Sequence, residues 1–267
     1  MTKDPLFSII TPTHNAYGHL EKCINSIFNQ SFSKWEHIIV DGGSSDGTLE
    51  LIKKYPHLKW ISEPDVGIYD AMNKGIKLAK GECLYFLGAD DYLYDNKVFE
   101  NLISHLKSNV DVVYGNVSST RWNGLYDGEF NSKKITDKNI CHQAIFLRRI
   151  VFDKVGLFNL RFKVYADWEH NWRWFFNPSI KHKYAPLTIA EYADGGFSSN
   201  SLPDQALQST KDAILKELMS HNEWILYMNR QMVRKENDLR KSCSTFRLYF
   251  AKTKRLIFLV YNKFFSS

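Results

Sequence analysis

Hydrophobic residues along the first half of the chain follow two alternating patterns. Short apolar runs, typical of buried strands, alternate with longer segments in which apolar positions recur at helical spacing. The predicted strands are Phe7–Thr11, Trp35–Val40, Leu58–Ser62, the run from Glu82 to Leu87, and Asp111–Tyr114. The predicted helices are His19–Asn29, Thr48–Tyr55, Tyr69–Lys80 and a segment around Val98–Ser108. Pro12 is expected to close the first strand because it lacks a backbone N–H.

This alternation predicts a parallel sheet with helices on both faces. In such sheets, ligands bind beyond the carboxyl ends of the strands. Thr11-Pro12, Asp41 and Asp90-Asp91 all lie at predicted strand ends. The alternation weakens from about Arg121, so we expect the following segment to be the second half of the same domain, shaped to receive another substrate.

Two adjacent carboxylates, Asp90 and Asp91, follow a strand that is predicted to be buried. Burying them costs free energy unless a cation or ligand compensates the charge. Mg²⁺ or Mn²⁺ suits carboxylate oxygens and keeps positions open for phosphate and water. We expect Asp91 to bind the metal directly and Asp90 to hold a ribose or act through water. The alternative is a plain Asp-rich turn.

Asp41 stands at the end of the second predicted strand, before a turn rich in glycine and serine (Gly42–Gly47). A carboxylate there can accept a hydrogen bond from a base or ribose, and the glycines allow close approach of backbone to the ligand. An ordinary β-turn is an equal alternative. The chain has neither the phosphate-binding P-loop pattern nor the dinucleotide-binding glycine pattern.

Asp70, Asn73 and Lys74 share one face of a predicted helix because they are spaced at i, i+3 and i+4. They could present hydrogen bonds and one positive charge to a nucleotide. A helix cap followed by a solvated face is the alternative interpretation.

Asp167 precedes an amphipathic helical pattern that is rich in tryptophan. A carboxylate beside aromatic rings is suited to act as the general base for a sugar hydroxyl. Glu169 is the competing candidate, and an N-cap role for Asp167 is also open. His142 is a third ionisable group in this half of the chain.

The net charge of +6 is concentrated in the last segment of the chain, Leu239–Ser267, which has no acidic residue. Its seven basic residues are Arg240, Lys241, Arg247, Lys252, Lys254, Arg255 and Lys263. The rest of the chain is close to neutral, which disfavours a general nucleic-acid-binding protein. Apolar residues of this tail fall mostly on one helical arc. The pattern predicts either association with an anionic membrane surface or packing against protein.

The four cysteines are scattered without a C-x-x-C pair, which favours reduced thiols over a disulfide framework or a zinc site. The chain shows no signal peptide and no apolar run that is long enough to span a bilayer. We therefore expect a cytoplasmic protein that lies at the inner face of the cell membrane if the tail binds lipid.

Four segments together resemble the family 2 glycosyltransferases of GT-A fold: Ser8–Asn15, Ile39–Thr48, Gly67–Gly75 and Gly88–Asp91. The resemblance is specific and ordered from Pro5 to about Asn116. It continues more loosely through Cys141–Gln143, Asp167 and Gly195–Ser198, and it excludes the tail after Pro203.

The resemblance implies an α/β GT-A fold of the nucleotide-diphospho-sugar transferase, Rossmann-like type, with a mixed sheet flanked by helices. It implies a transferase domain over 1–203, with a nucleotide-sugar half (1–116) and an acceptor half (117–203). The remainder, 204–267, is expected to be a helical, basic C-terminal extension.

The resemblance also implies residue roles. Asp41 would hold the base, Asp90 the ribose, Asp91 the metal with its diphosphate, and Asp167 would be catalytic. The expected donor-binding residues are Thr11, Pro12, Thr13, Asn15, Asp41, Gly42, Ser44, Asp70, Asn73, Lys74, Ala89 and Asp90. Many family members have Glu-Asp at the catalytic position, whereas Ala166 precedes Asp167 here, which leaves Glu169 as a candidate.

The implied reaction is inverting, Mn²⁺- or Mg²⁺-dependent transfer from a nucleotide-sugar, with a uridine nucleotide as the expected donor. The acceptor would be a glycan or lipid-linked oligosaccharide hydroxyl in cell-surface polysaccharide synthesis, such as that of O-antigen or capsule. Two other classes remain open at this stage: a nucleotidyltransferase, and a non-catalytic nucleotide-sugar-binding module.

Overall fold

The computed structural model describes residues 4–106, 109–120, 124–193, 202 and 204–241. The chain divides into two compact units, Met1–Leu218 and Met219–Ser267. This division falls later in the chain than position 203, where the sequence predicts the start of the extension.

A sheet occupies the first unit. Its strands are β1 (Phe7–Thr13), β2 (Trp35–Asp41), β3 (Leu58–Ser62), β4 (Cys83–Phe86), β5 (Tyr92–Leu93), β6 (Val112–Ser119), β7 (Gly124–Tyr126), β8 (Ile145–Arg148) and β9 (His182–Glu191). Within the described residues these nine strands form one sheet in the order β3-β2-β1-β4-β8-β6-β9-β5, with β7 paired to β6.

The sheet is mixed, so the expectation of a parallel sheet is correct only for its first part. Strands β3, β2, β1 and β4 are parallel, whereas β8 is antiparallel to both β4 and β6. The direction of β8 follows from the place where the chain enters this strand. The chain reaches β8 through a 3₁₀ turn, His142–Ala144, beside the carboxyl end of β4, and therefore runs back along that strand.

Strand β1 continues through Pro12 to Thr13, so the prediction that Pro12 closes it is wrong. Pro12 is opposite Val40 of β2, whereas the pairing of β1 with β4 ends at Ile10. Beyond Ile10, β1 therefore needs hydrogen bonds on one side only, and a proline without an N–H is tolerated there.

Helices flank the sheet. Within the described residues of the first unit they are α1 (Leu20–Phe28), α2 (Thr48–Lys53), α3 (Ile68–Leu78), α4 (Val98–Ile103), α5 (Ser132–Asp137), α6 (Arg149–Val155), α7 (Ala166–Phe175) and α8 (Gln205–Leu218). The four helices predicted in the first half are confirmed. Each ends earlier than predicted, α3 begins one residue earlier, and positions 107 and 108 of the fourth prediction lie outside the described residues. Helix α3 lies very close to β1, since a Cβ at Gly75 would be 2.3 Å from Ile10 Cγ2.

The two predicted halves of the transferase domain share one core. The Tyr85 ring of β4 stacks on Phe146 of β8, with ring centroids 4.2 Å apart. Phe146 also contacts Phe7 of β1 at 5.5 Å. Because these rings are fully buried, the halves pack as one body and not as separable domains.

The second unit contains helix α9, His221–Lys241. No helix in the described part of the chain has the length and hydrophobicity needed to cross a bilayer. The predicted basic, amphipathic tail and the Gly195–Ser198 segment lie outside the described residues, except for the start of the tail at Leu239–Lys241.

Asp41, at the end of β2, organises the turn that follows it. Its Oδ2 accepts hydrogen bonds from the backbone N–H groups of Gly43 and Ser44, both at 3.0 Å, and from Ser62 Oγ at 2.6 Å. Its Oδ1 accepts the Ser44 hydroxyl. Burial by itself raises the pKa of Asp41, but these donors outweigh burial and hold the pKa below its ordinary value.

Asp41→Asn is expected to lower the free energy of unfolding at pH 7 by about 1–3 kcal/mol, because an amide N–H₂ would face donors. A depressed folded-state pKa stabilises the fold above the ordinary aspartate pKa, near 4, and loses this contribution as pH falls. Denaturation at pH 7 and pH 3 should therefore show a large difference between variant and wild type at pH 7 and a small one at pH 3. A difference that is independent of pH would contradict this account.

Candidate active site

A cavity of about 700 Å³ opens at the carboxyl-end edge of the parallel strands. Its walls come from the loops after β1 and β4, the start of α3, the connection that precedes β8, and the start of α7. Residues from these five segments include Pro12, Asn15, Tyr69, Asp90, Asp91, Asn139, His142, Gln143 and Asp167. The cavity therefore joins the two predicted halves of the domain.

Asp91 is 2% exposed, and both of its carboxylate oxygens accept hydrogen bonds from the second half of the domain. Gln143 Nε2 donates to Oδ2 at 2.6 Å, and the Ala193 N–H donates to Oδ1 at 2.9 Å. Burial, followed by the neighbouring charge of Asp90, raises the pKa of Asp91 to about 6, although the two hydrogen bonds oppose that rise. The Asp91 carboxylate thus lacks a full compensating charge.

Asp90 and Asp91 direct oxygens toward the same space beside Gly88. A Cβ at Gly88 would lie 2.6 Å from Asp91 Oδ2 and 2.9 Å from Asp90 Oδ1, so only glycine leaves room for both. Each carboxylate oxygen carries two lone pairs, and an oxygen that accepts one hydrogen bond can still bind a cation. The pair therefore fits a hard divalent ion.

The rest of the coordination sphere would come from outside this pair. Across the described segments of the chain, no cluster of three or more His, Cys, Asp or Glu side chains is arranged to hold a metal ion. Mg²⁺ is commonly held by one or two carboxylates together with substrate phosphates and water. The two aspartates suit that kind of shared site.

Asp167 lies in the wall that α7 contributes, and it is also buried. Its Oδ1 accepts the Tyr69 hydroxyl at 2.9 Å and the Trp168 N–H at 2.8 Å. Its Oδ2 accepts Asn139 Nδ2 at 2.8 Å and lies 3.6 Å from His142 Nδ1. The carboxylate is thus oriented by groups from three separate segments.

Glu169, the competing candidate, does not line this cavity. Its carboxylate lies 2.9 Å from the Arg173 guanidinium, one turn further along α7. Arg173 in turn donates to the carbonyl oxygens of Val155, the last residue of α6, and of Leu157, in the loop that follows. Burial raises the pKa of Glu169, with Arg173 opposing the rise. Glu169 therefore braces a loop behind the site.

The predicted site residues divide into two groups. Those that line the cavity are Pro12, Thr13, Asn15, Ala89, Asp90, Asp91 and Asp167. Those that do not line it are Thr11, Asp41, Gly42, Ser44, Asp70, Asn73 and Lys74. Gly42 is nevertheless adjacent, since a Cβ there would lie 2.5 Å from Oδ2 of the cavity residue Asp65.

The polar face predicted on α3 makes contacts within the protein. Asn73 exchanges two hydrogen bonds with the backbone of Phe158, at 2.9 and 3.0 Å. Lys74 Nζ lies 3.0 Å from Glu63 and 3.6 Å from Asp70, and it donates to the Pro64 carbonyl. Asn73 therefore fixes the backbone at Phe158 against α3, and Lys74 fixes the segment that leads into α3.

Three residues that donate hydrogen bonds to Asp91 or Asp167 are not predicted from the sequence. Tyr69 lies inside the Gly67–Gly75 motif, and Gln143 lies in the loosely matching Cys141–Gln143 segment, so both had a partial signal. Asn139 had none, because a single asparagine in a connection carries no periodicity. Only the folded chain brings it to Asp167.

Comparison with known proteins shows the family and the fold of the chain. A family model described as Glycosyl transferase family 2 matches residues 8–164 and ends just before Asp167. A PGL/p-HBAD biosynthesis glycosyltransferase of Mycobacterium bovis BCG is 38% identical over 245 residues, which cover 86% of this chain and 94% of that protein. Glycosyltransferase AglE of Haloferax volcanii is 32% identical over 170 residues, covering 58% of this chain and 56% of that protein.

Two solved structures share the fold at low identity. TarS 1-349 of S. aureus in complex with UDP aligns with a TM-score of 0.61 and 20% identity, covering 79% of this chain and 70% of that chain. Mannosyltransferase PcManGT from Pyrobaculum calidifontis, in complex with GDP-Man and Mn²⁺, aligns with a TM-score of 0.59 and 15% identity, covering 97% of this chain and 81% of that chain. The predicted α/β GT-A fold is confirmed, and the chain belongs to glycosyltransferase family 2.

Proposed function

We propose that this glycosyltransferase is a metal-dependent, inverting enzyme that transfers a sugar from a nucleotide-sugar to an acceptor hydroxyl. The observation that carries the proposal is the single cavity in which Asp90 and Asp91 lie on one wall and Asp167 on another. Membership of a glycosyltransferase family argues against the nucleotidyltransferase and the non-catalytic binding module.

The donor would lie along the edge of β1, β2 and β4. A UDP-sugar is our first choice, and the UDP complex of the fold neighbour TarS supports it. Asp41 would hold the base and Asp90 the ribose, with Pro12, Thr13 and Asn15 as further contacts. Thr11, Gly42, Ser44, Asp70, Asn73, Lys74 and Ala89 complete the proposed donor set.

A divalent ion, Mn²⁺ or Mg²⁺, would be held by Asp91, with Asp90 beside it. When bound, it would offset the negative charge that develops on the departing diphosphate. Gln143 and the Ala193 N–H orient the Asp91 carboxylate and keep it from turning away from the donor. The Mn²⁺ in the structure of the mannosyltransferase supports the metal assignment.

Asp167 would act as the general base. The acceptor oxygen would form a bond to the anomeric carbon while the bond from that carbon to the diphosphate breaks. The proton of the acceptor hydroxyl would pass to Asp167, and the nucleoside diphosphate would leave with its electron pair. Attack from the face opposite the leaving group inverts the anomeric configuration.

The acceptor is proposed to be a hydroxyl of a glycan or of a lipid-linked oligosaccharide in cell-surface polysaccharide synthesis, including O-antigen or capsule. Attachment of the basic tail to the inner face of the cell membrane would bring the enzyme to a lipid-linked acceptor. Nucleic acid is not a proposed partner.

Nucleotide and metal should stabilise the protein together. We expect Mn²⁺ plus UDP to raise the melting temperature by several degrees at pH 8 when UDP is present at about 100 times its Kd. The same measurement with GDP in place of UDP tests the alternative nucleotide. The increase in melting temperature that depends on Mn²⁺ should be smaller at pH 5.5, because the raised pKa of Asp91, about 6, leaves its carboxyl largely protonated at that pH.

Asp91→Asn should lose the Mn²⁺-dependent part of this stabilisation, whereas Asp153→Asn, at an exposed aspartate of α6, should keep it. Equal Mn²⁺-dependent stabilisation in Asp91→Asn and wild type would refute the metal assignment.

Asp167→Asn should reduce transfer by about 10²–10⁴-fold, the usual contribution of a general base. Nucleoside diphosphate release from a panel of nucleotide-sugars with candidate acceptors measures the effect. Glu169→Gln should retain a transfer rate within a few-fold of the wild-type rate, since the substitution alters only the contact with Arg173. The reverse ranking of these two variants would assign the base to Glu169.

The tail should direct the protein to anionic lipid. In co-sedimentation with phosphatidylglycerol vesicles, the full chain should bind and a chain lacking Leu239–Ser267 should not. Vesicles of phosphatidylcholine alone provide the control for charge. Equal sedimentation of both chains with anionic vesicles would leave protein packing as the role of the tail.

A further inference from the structure

The two oxygens of Asp167 are not equivalent. Oδ1 is within hydrogen-bond distance of two donors, the Tyr69 hydroxyl and the Trp168 N–H. Oδ2 has one donor at that distance, Asn139 Nδ2 at 2.8 Å. The next group, His142 Nδ1, is 3.6 Å from Oδ2, which is beyond a normal hydrogen bond.

A carboxylate oxygen offers two lone pairs to donors. Oδ1 therefore has two donors, against one at Oδ2, when the Tyr69 proton points toward it. The Tyr69 hydroxyl also lies 2.7 Å from the Val164 carbonyl oxygen, so it is fixed between two acceptors. Among the described residues Oδ2 has the fewer protein donors, and Asp167 lines the cavity. Oδ2 is thus the oxygen with capacity for a substrate proton.

The orientation of Asn139 is determined by groups behind it. Its Oδ1 accepts Asn171 Nδ2 at 2.8 Å, so its N–H₂ group must face Asp167. Asn171 also donates to the Ile140 carbonyl at 3.1 Å and accepts Trp174 Nε1 at 2.9 Å. Asn171 is 3% exposed and Trp174 is fully buried. The chain of hydrogen bonds therefore runs from the interior of α7 to the carboxylate.

We propose that Asn139 is the positioning residue of Asp167: it holds the carboxylate so that Oδ2 receives the acceptor proton. Asn171 and Trp174 lock Asn139 in the required orientation. The proposal rests on the role of Asp167 as general base. Beyond that role, Oδ2 is the oxygen that receives the proton, and Asn139, which lies outside the sequence motifs, keeps Oδ2 in place.

The other groups around Asp167 do not replace Asn139. Tyr69, Tyr126 and Cys141 face it, and burial, together with the negative charge of Asp167, raises the pKa of each of them, so they stay neutral near pH 7. Asp167 has no lysine or arginine partner among the described residues, and His142 is the nearest basic group. Among the described residues the Asp167 carboxylate is therefore held by hydrogen-bond donors.

A titration that needs no substrate tests this proposal. Aspartates carrying ¹³C at Cγ would be followed by NMR across pH, with the Asp167 signal assigned by its absence in Asp167→Asn. In Asn139→Ala the midpoint should rise by about one pH unit, because a donor to the charged form is lost. Asn139→Asp should raise it further, since it replaces the donor by a like charge. Asn171→Ala should produce a smaller shift in the same direction.

Asn116→Ala is the matched control. Asn116 is a buried asparagine of the same unit that bonds to Tyr184 Oη at 2.9 Å and to the Gly128 N–H at 2.8 Å, away from Asp167. Asn116→Ala should lower the stability of the protein without changing the midpoint of the Asp167 titration. An unchanged midpoint in both Asn139 variants would overturn the positioning role.

The failure of this inference is distinguishable from failure of the proposed function. If Asp167→Asn keeps its transfer activity, the general-base assignment is wrong whatever the titration shows. If Asp167→Asn is inactive and both Asn139 variants titrate like wild type, only the inference about Asn139 falls.

Discussion

The site depends on one constraint: parallel strands bring their carboxyl ends to the same edge of a sheet. Because β1, β2 and β4 are parallel, Pro12, Asp41 and Asp91 meet at one edge although long stretches of chain separate them. Edge position alone leaves carboxylates in a partly desolvated environment, where a negative charge is costly. The remainder of the domain supplies groups that reduce this cost.

Most of these groups come from the second half of the domain. Gln143 and the Ala193 N–H bind Asp91, and Asn139 binds Asp167. The antiparallel strand β8 makes this possible, since its entry path carries the His142–Ala144 turn past the end of β4. The stacking of Tyr85 on Phe146 then joins both halves in one core. The walls that carry Asp91 and Asp167 are therefore parts of one packed core.

The sequence predicts the features that depend on local pattern. Strands β1 to β4, their following helices and the carboxylates at their ends could all be read from periodicity and turn residues. The second part of the sheet could not, because β8 is short, the pairing of β9 with β6 is irregular, and both strands owe their direction to long-range pairing. The contacts of Asn139, Gln143 and Tyr69 with the two acids are likewise products of tertiary packing. Helical spacing placed Asn73 and Lys74 on one face correctly, but spacing does not tell whether that face meets a ligand or the protein.

The most direct test of the account is the anomeric configuration of the freshly formed product. The proposed roles, with Asp91 on the leaving-group side and Asp167 as the base, predict a single displacement. With an α-linked nucleotide-sugar as donor, ¹H NMR of the product should show the β-anomer, formed by inversion at the anomeric carbon. A product that retains the α configuration would contradict the account, because it would require a different mechanism from direct attack assisted by Asp167.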